Sequence, residues 1–362
     1  MPAGWLDSLE AQAGGVLPAA VHAYVSQGAG EGRSAAEAVA AWRSVRFEPH
    51  VLRDVTEVDL ASSACGVPLA VPFGVAPTTL QRAAHPDGEL ATAEAVAAAG
   101  TLMVVSSNAG HRFSDIASTG VRWWLQAYLP QRRERARPML DAAVLAGATA
   151  VVLTVDTPVV GTKHGAAGSV WDTVDARWLR TNLGAAADDP KATDLGPADI
   201  AWLGEVTGLP VVVKGVLRAD DAVRCVEAGA AAVWVSNHGG RQLDRAAATA
   251  RCLPQVVAAV RSAQFSAQSS APSGGPSRAE VYVDGGLRNG LDLFAALSLG
   301  ADVAFLGRQP FYALAVGGEA AVRRMLEELR DELAETMRLA GTPDLASVAD
   351  VVADLVAPGM AP

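Results

Sequence analysis

Residues 210–238 read PVVVKGVLRADDAVRCVEAGAAAVWVSNH. A Val-rich run gives way to a stretch with helical spacing that closes at Gly229, and a second apolar run follows and stops at polar residues. Short runs apolar on both faces are what buried parallel strands require, so this stretch predicts one βα unit and the next strand. The pattern recurs outward in both directions. Further runs rich in Val, Leu and Ala lie at Pro68–Ala76, Thr101–Val105, Arg122–Tyr128, Ala150–Val155, Val281–Asp284 and Val303–Leu306, beside Pro210–Lys214 and Ala232–Ser236 in the quoted stretch. Helical segments between them include Glu89–Ala99, Arg132–Ala146, Ala219–Ala228 and Leu291–Leu299, with Gly100, Gly147, Gly229 and Gly300 as C-cap signals. Eight βα units predict an α/β fold of the closed TIM (β/α)8 type. An open doubly wound sheet usually has fewer strands, and no GxGxxG turn follows the first strand.

The 362 residues suit a single domain with additions: a helical N-terminal extension over 1–60 packed outside the barrel, the barrel over 61–316, and closing helices over 317–362. Glu319–Ala340 reads as an amphipathic helix. The polar stretch SAQFSAQSSAPSGGPSR at 262–278 reads as a flexible surface loop. Half of the residues are hydrophobic and 19% are charged, which predicts a globular chain with a large core. A net charge of -10, with no long run among the 29 basic residues, argues against nucleic acid as a partner. Cys65, Cys225 and Cys252 are odd in number and widely spaced, which fits reduced thiols rather than disulfides, and no His/Cys cluster suggests a metal. The N-terminus lacks a basic n-region and an apolar h-region, and every apolar run is shorter than the roughly 18 residues of a membrane span. A cytoplasmic location without membrane contact is the expectation.

Active sites of such barrels lie at the C-terminal ends of the strands, so polar residues that stop an apolar run carry the information. Here the ends carry Pro77, Thr78 and Thr79; Ser106 and Asn108; Gln126 and Tyr128; Thr154 and Asp156; Lys214; Ser236 and His238; Asp284 and Gly286; Gly307 and Arg308. The densest stretch is VSNHGGRQLD at 235–244. His238 can accept a proton near neutral pH, and Arg241 can grip a carboxylate with two parallel hydrogen bonds. Asp156 ends an otherwise apolar strand, where a carboxylate needs a partner, and His238 is a candidate; a local cap in its Asp-Thr-Pro turn is the competing reading. DGGLRNG at 284–290 and LGR at 306–308 follow strands seven and eight, where many barrels bind phosphate, with Arg288 and Arg308 supplying charge.

Taken in order, APT at 76–78, AHPDGE at 84–89, LTVDTP at 153–158, VKGV at 213–216, SNHGGRQLD at 236–244 and DGGLR at 284–288 resemble a known family. It is the FMN-dependent (S)-2-hydroxy acid oxidase and dehydrogenase family of glycolate oxidase, lactate oxidase, mandelate dehydrogenase and hydroxymandelate oxidase. The resemblance runs from about Leu17 to Leu339, with a gap between about 164 and 194. It implies FMN as cofactor, a 2-hydroxy acid as substrate, oxygen or a quinone as electron acceptor, and a homotetramer. It implies His238 as the base, Asp156 as its partner, Arg241, Tyr24 and Tyr128 around the substrate, and Lys214 beside the flavin. FMN contacts are implied at Pro77, Thr78, Thr79, Ser106, Gln126, Thr154, Ser236, Asp284, Gly286, Arg288, Gly307 and Arg308. The proton would pass to His238 and the electrons from C2 to the flavin. An FMN-dependent isomerase, or a flavin protein without turnover, is the weaker alternative.

This chain departs from that pattern in four places. Gly161, Thr162 and Lys163 stand where the family has Gly-Arg-Arg, so Lys163 replaces a second arginine at the substrate. The loop after it is short and altered. Asn108 stands where glycolate-type members carry Trp, and Thr79 where a small residue is usual. These changes predict a pocket wider than one for glycolate, suited to an aryl or polar side chain, with the Asn108 amide on its wall, unless Trp171 or Trp178 folds in.

Overall fold

A computed structural model describes residues 4–164, 169–268 and 278–355. Eight parallel strands close on themselves: β1 Phe73–Val75, β2 Leu102–Ser106, β3 Arg122–Ala127, β4 Val151–Thr154, β5 Val211–Val216, β6 Ala232–Val235, β7 Glu280–Val283 and β8 Val303–Leu306. Their order around the barrel is their order in the chain, as βα units demand. The fold is therefore the TIM barrel that the periodicity predicts. Gly100, Gly147, Gly229 and Gly300 end their helices at φ of 66°, 85°, 93° and 99°, a conformation that costs glycine little.

The barrel is filled by large side chains. Trp124, Trp234, Tyr282 and Phe305 are fully buried and in mutual contact, with Trp234 and Phe305 stacked at 4.0 Å. Beneath them, Ser62–Ala64 and Val67–Leu69 form an antiparallel hairpin. The apolar run at 68–76 therefore holds two elements, since Val67–Leu69 belongs to that hairpin and the barrel strand begins at Phe73. A continuous apolar run hides the break.

Two other expectations need correction. Residues 262–268 do not form a loop but continue the helix Thr249–Gln268, whose polar final turns carry no apolar signal; 269–277 lie outside the described residues. The N-terminal extension does more than pack outside the barrel. Its helices α1 Trp5–Val16, α2 Ala19–Ser26 and α3 Arg33–Arg43 reach the barrel mouth, where Gly240 and Gly286 lie so close to α3 that an added Cβ would stand 2.4 Å from Ala35 N and 2.5 Å from the Ala38 carbonyl. The C-terminal helix Arg308–Ala340 breaks at Gly317 and Gly318, and its second part presents Val322, Met325, Leu326, Leu329, Leu333 and Met337 to the core.

Candidate active site

The polar residues at the strand ends join across neighbouring strands. Ser106 Oγ donates to Gln126 Oε1 at 3.2 Å, and Gln126 Nε2 donates to Thr154 Oγ1 at 3.1 Å, which links β2, β3 and β4. Lys214 Nζ donates to Ser236 Oγ at 2.8 Å and lies 2.9 Å from Asp284 Oδ2, which links β5, β6 and β7. All six are buried, so each bond satisfies a group that would otherwise cost free energy. All of them but Ser236, together with Ala76, Pro77, Thr78, Thr79, Gly286, Gly307 and Arg308, line a cavity of about 500 Å³ in the barrel mouth.

His238 lines this cavity and is paired with Asp156. His238 Nδ1 lies 2.8 Å from Asp156 Oδ1, and the His238 backbone N–H donates to Ser236 Oγ at 3.0 Å. With Nδ1–H given to the carboxylate, Nε2 is left as an acceptor. Burial alone would raise the Asp156 carboxyl, but the charge and hydrogen bond of His238, with Lys214 and Thr157 behind them, bring it down to about 2. Asp156 pairs with the histidine, and Thr157 Oγ1, the next residue in the Asp-Thr-Pro turn, also donates to it at 3.0 Å. A bulge in β5 makes room for the pair: at Gly215, with φ 112°, an added Cβ would lie 2.6 Å from Asp156 Cβ.

Arg241 is held from the other side. Its Nη1 donates to the carbonyls of Tyr24, Val25 and Gln27 at 2.6, 3.0 and 3.1 Å, so the N-terminal extension orients the guanidinium. Tyr24 lies under it, with the guanidinium carbon 5.0 Å from the ring centroid. Asp244, in the same motif, accepts the backbone N–H groups of Glu31 and Ser34 at 2.9 and 3.0 Å and ties down the start of α3. Tyr128 completes this wall. Burial, followed by the charge of Asp156, pushes its hydroxyl upward, so it stays a neutral donor. Lys163 Nζ donates to the Gly161 carbonyl at 3.2 Å, and burial with the charge of Arg241 lowers its ammonium.

From the altered loop, Trp171 lies edge-on to Tyr24 at 5.7 Å and lines the cavity, as Leu179 does. The Asn108 amide is also not free on the wall, because Nδ2 donates to the Leu179 carbonyl at 2.9 Å. Thr79 Oγ1 donates to the Asn108 carbonyl at 3.1 Å, which gives its hydroxyl a structural partner. Trp178 stacks under Arg82 at 4.7 Å. Three residues missed in the sequence also belong here. Gln242 accepts from Gly161 N–H at 2.9 Å and donates to Thr157 Oγ1 at 2.7 Å, bracing the loop that carries Lys163. Gln242 and Thr157 sit inside the quoted motifs and could have been found there. Lys191, whose Nζ lies 3.8 Å from the Tyr128 ring centroid, has no such signal.

Arg288 and Arg308 also line the cavity, and neither guanidinium has a carboxylate oxygen within 4 Å among the described residues. Burial, then the charges of Arg288 and Arg241, push the Arg308 guanidinium down to about 10. Arg308 keeps its place through bonds from Nε to the Val25 carbonyl and from Nη2 to the Gly239 carbonyl, both 3.0 Å. Two unpaired guanidinium groups make a site for a dianion. Asp284 Oδ1 is buried without a donor, which suits a ligand hydroxyl. A phosphate and a hydroxylated chain are both parts of FMN, and these residues fit it.

Residues 13–354 match the model of the FMN-dependent dehydrogenase family. The chain belongs to this family. It is 37% identical over 352 residues to glycolate oxidase 3 of Oryza sativa subsp. indica, covering 92% of this chain and 91% of that one. It is also 37% identical to the glycolate oxidase of Spinacia oleracea, covering 95% and 93%. Among solved structures it resembles a mandelate oxidase variant with (S)-mandelic acid, at 34% identity, a TM-score of 0.85 and coverage of 97% and 98%. A lactate oxidase of Pediococcus acidilactici matches at 31% identity, a TM-score of 0.85 and coverage of 96% and 93%. As a member of the FMN-dependent dehydrogenase family, the chain is an FMN-dependent oxidoreductase of (S)-2-hydroxy acids.

Proposed function

We propose that this site converts an (S)-2-hydroxy acid to its 2-oxo acid with His238 as general base, Asp156 as the partner that orients it, and Arg241 as the anchor for the substrate carboxylate. The observation that carries this reading is the 2.8 Å His238–Asp156 pair, whose histidine lines one cavity with Arg241. FMN, when bound, supplies the acceptor for the two electrons that leave C2. The strand-end ring of Ser106, Gln126, Thr154, Lys214 and Ser236 would hold its flavin, and Arg288 and Arg308 its phosphate. His238 Nε2 takes the hydroxyl proton, and the Asp156 charge stabilises the imidazolium that results. Arg241 and Tyr24 fix the carboxylate so that C2 has one orientation, with Lys163 adding charge and the neutral Tyr128 hydroxyl adding a donor.

The acceptor we propose is oxygen, supported by curated relatives and structural neighbours that are named oxidases. The side chain we propose is larger than the hydrogen of glycolate, in the range from lactate to mandelate, supported by the small Asn108 and by the likeness to mandelate and lactate oxidases. Three free cysteines support a reducing, cytoplasmic location, and exposed Val159, Val160 and Leu243 near the barrel mouth suit subunit contacts in a homotetramer. The test is anaerobic mixing of the FMN-loaded protein with glycolate, (S)-lactate and (S)-mandelate, followed by addition of air. Bleaching of the flavin and stoichiometric hydrogen peroxide are expected. No bleaching by any of the three, or reoxidation only by a quinone, would count against it.

A further inference from the structure

Besides Arg288 and Arg308, four further cations, Lys214, Arg241, Lys163 and Lys191, line the same cavity. Three of them have an assigned counter-charge. Lys214 has Asp284 at 2.9 Å. Arg241 and Lys163 are close enough for the charge of one to lower the other, and a single substrate carboxylate between them serves both. Lys191 is left over, with no Asp or Glu oxygen within 4 Å of it among the described residues. Asp156 acts on it from longer range and is already committed to His238.

The lysine is not there by looseness of the loop. Gln131 N–H donates to the Pro190 carbonyl at 2.7 Å and Ala192 N–H to the Leu129 carbonyl at 2.9 Å, so residues 190–192 are laced to the chain that follows β3. Asp189 strengthens the lacing by accepting from Arg132 N at 2.9 Å and Arg132 Nε at 2.8 Å. The Nζ is thereby held over the Tyr128 ring, in the lining of the same cavity as Arg241. A ring face attracts an ammonium but does not neutralise it, and a partly desolvated cation without a counter-charge costs free energy. Its place in the substrate cavity is accounted for if the substrate brings the missing charge.

We propose that Lys191 reads a second anionic group on the substrate, and that the preferred substrates are 2-hydroxy dicarboxylates, with one carboxylate on Arg241 and the other on Lys191. This rests on the 2-hydroxy acid reading above. The product is then a 2-oxo dicarboxylate, and the proton and electron pair go where they go for any 2-hydroxy acid.

The test uses the FMN-loaded protein and two kinds of readout. Dissociation constants of the 2-oxo acids 2-oxoglutarate and 2-oxopentanoate, measured by calorimetry, report binding without turnover. The unmodified protein should bind 2-oxoglutarate roughly 10–100-fold more tightly, the range of a hydrogen bond to a charged group. Lys191→Met should reduce that ratio at least tenfold, and Lys191→Arg should keep most of it. Anaerobic flavin bleaching by (S)-2-hydroxyglutarate, (S)-malate and (S)-lactate is the second readout. Equal binding of the two oxo acids by the unmodified protein overturns the proposal, as does a ratio that Lys191→Met leaves unchanged. Bleaching by lactate with no preference for the dicarboxylates overturns the Lys191 subsite alone, whereas no bleaching by any 2-hydroxy acid overturns the reading beneath it.

Discussion

The two ends of the barrel are made by the same eight strands and obey opposite rules. At the floor, Trp124, Trp234, Tyr282 and Phe305 fill the interior; the indole N–H groups of Trp124 and Trp234 are buried without acceptors, whereas the Tyr282 hydroxyl is paired. Tyr282 donates to Glu280 at 2.7 Å and accepts from Cys65 N–H at 3.1 Å. At the mouth, a few residues further along the strands, Asp156 Oδ2 and Asp284 Oδ1 are buried without donors, and Arg288, Arg308 and Lys191 lack carboxylates among the described residues. The floor is packed with its own aromatic side chains, whereas the mouth leaves carboxylate oxygens and cations for what binds. Stability should therefore reside at one end and chemistry at the other.

The sharpest break would come from His238. It sits at φ 56°, a conformation that Asn tolerates better than most residues, so His238→Asn is the replacement with least backbone cost. Flavin reduction should fall by roughly 10²–10⁴-fold in stopped-flow mixing, with FMN retained and the thermal midpoint nearly unmoved. A large loss of stability instead would blur the contrast between the ends.

Trp124→Ala is the mirror experiment. Emptying that volume should cost about 3–5 kcal/mol in denaturant unfolding, while the reduction rate per folded, flavin-loaded molecule stays within about threefold. If the rate collapsed with stability, floor and mouth would not be separable. A smaller effect is expected of Arg241→Lys, which replaces a planar fork by a point charge. KM for the hydroxy acid should rise by roughly 10–100-fold, with a smaller change in kcat. The smallest is Tyr282→Phe. Losing the hydroxyl that links Cys65 and Glu280 should cost about 1–2 kcal/mol by thermal melting and leave KM and kcat alone. A change in KM from so deep in the floor would show that the two ends communicate.

The two ends also differed in how far they could be read from sequence. Strand positions were legible because strands buried on both faces leave continuous apolar runs, and the mouth was legible because polar residues stop those runs. His238, Asp156, Lys214, Arg288 and Arg308 were all found this way. The hairpin at Val67–Leu69 was not, since an apolar hairpin strand and an apolar barrel strand look alike when only a short bend separates them. The polar turns of the helix ending at Gln268 were read as a loop for the opposite reason, lacking an apolar stripe. Lys191, Trp171 and Leu179 come from the altered segment after Lys163, where neither periodicity nor a motif places a side chain. That Asn108 would spend its amide on the Leu179 carbonyl, 71 residues away, depends on a path through space that spacing along the chain does not encode.

Arg241 Nη1 rests on carbonyl oxygens made by residues 217, 216 and 214 positions earlier in the chain. At roughly 5–20 residues per second, a ribosome that has just made Tyr24 needs on the order of 10–40 s to deliver the arginine. Through that interval the segment around Tyr24 has no guanidinium to grip and nothing to hold it at the mouth. The substrate anchor is thus assembled only after Arg241 is made, although half of it is synthesised more than 200 residues earlier.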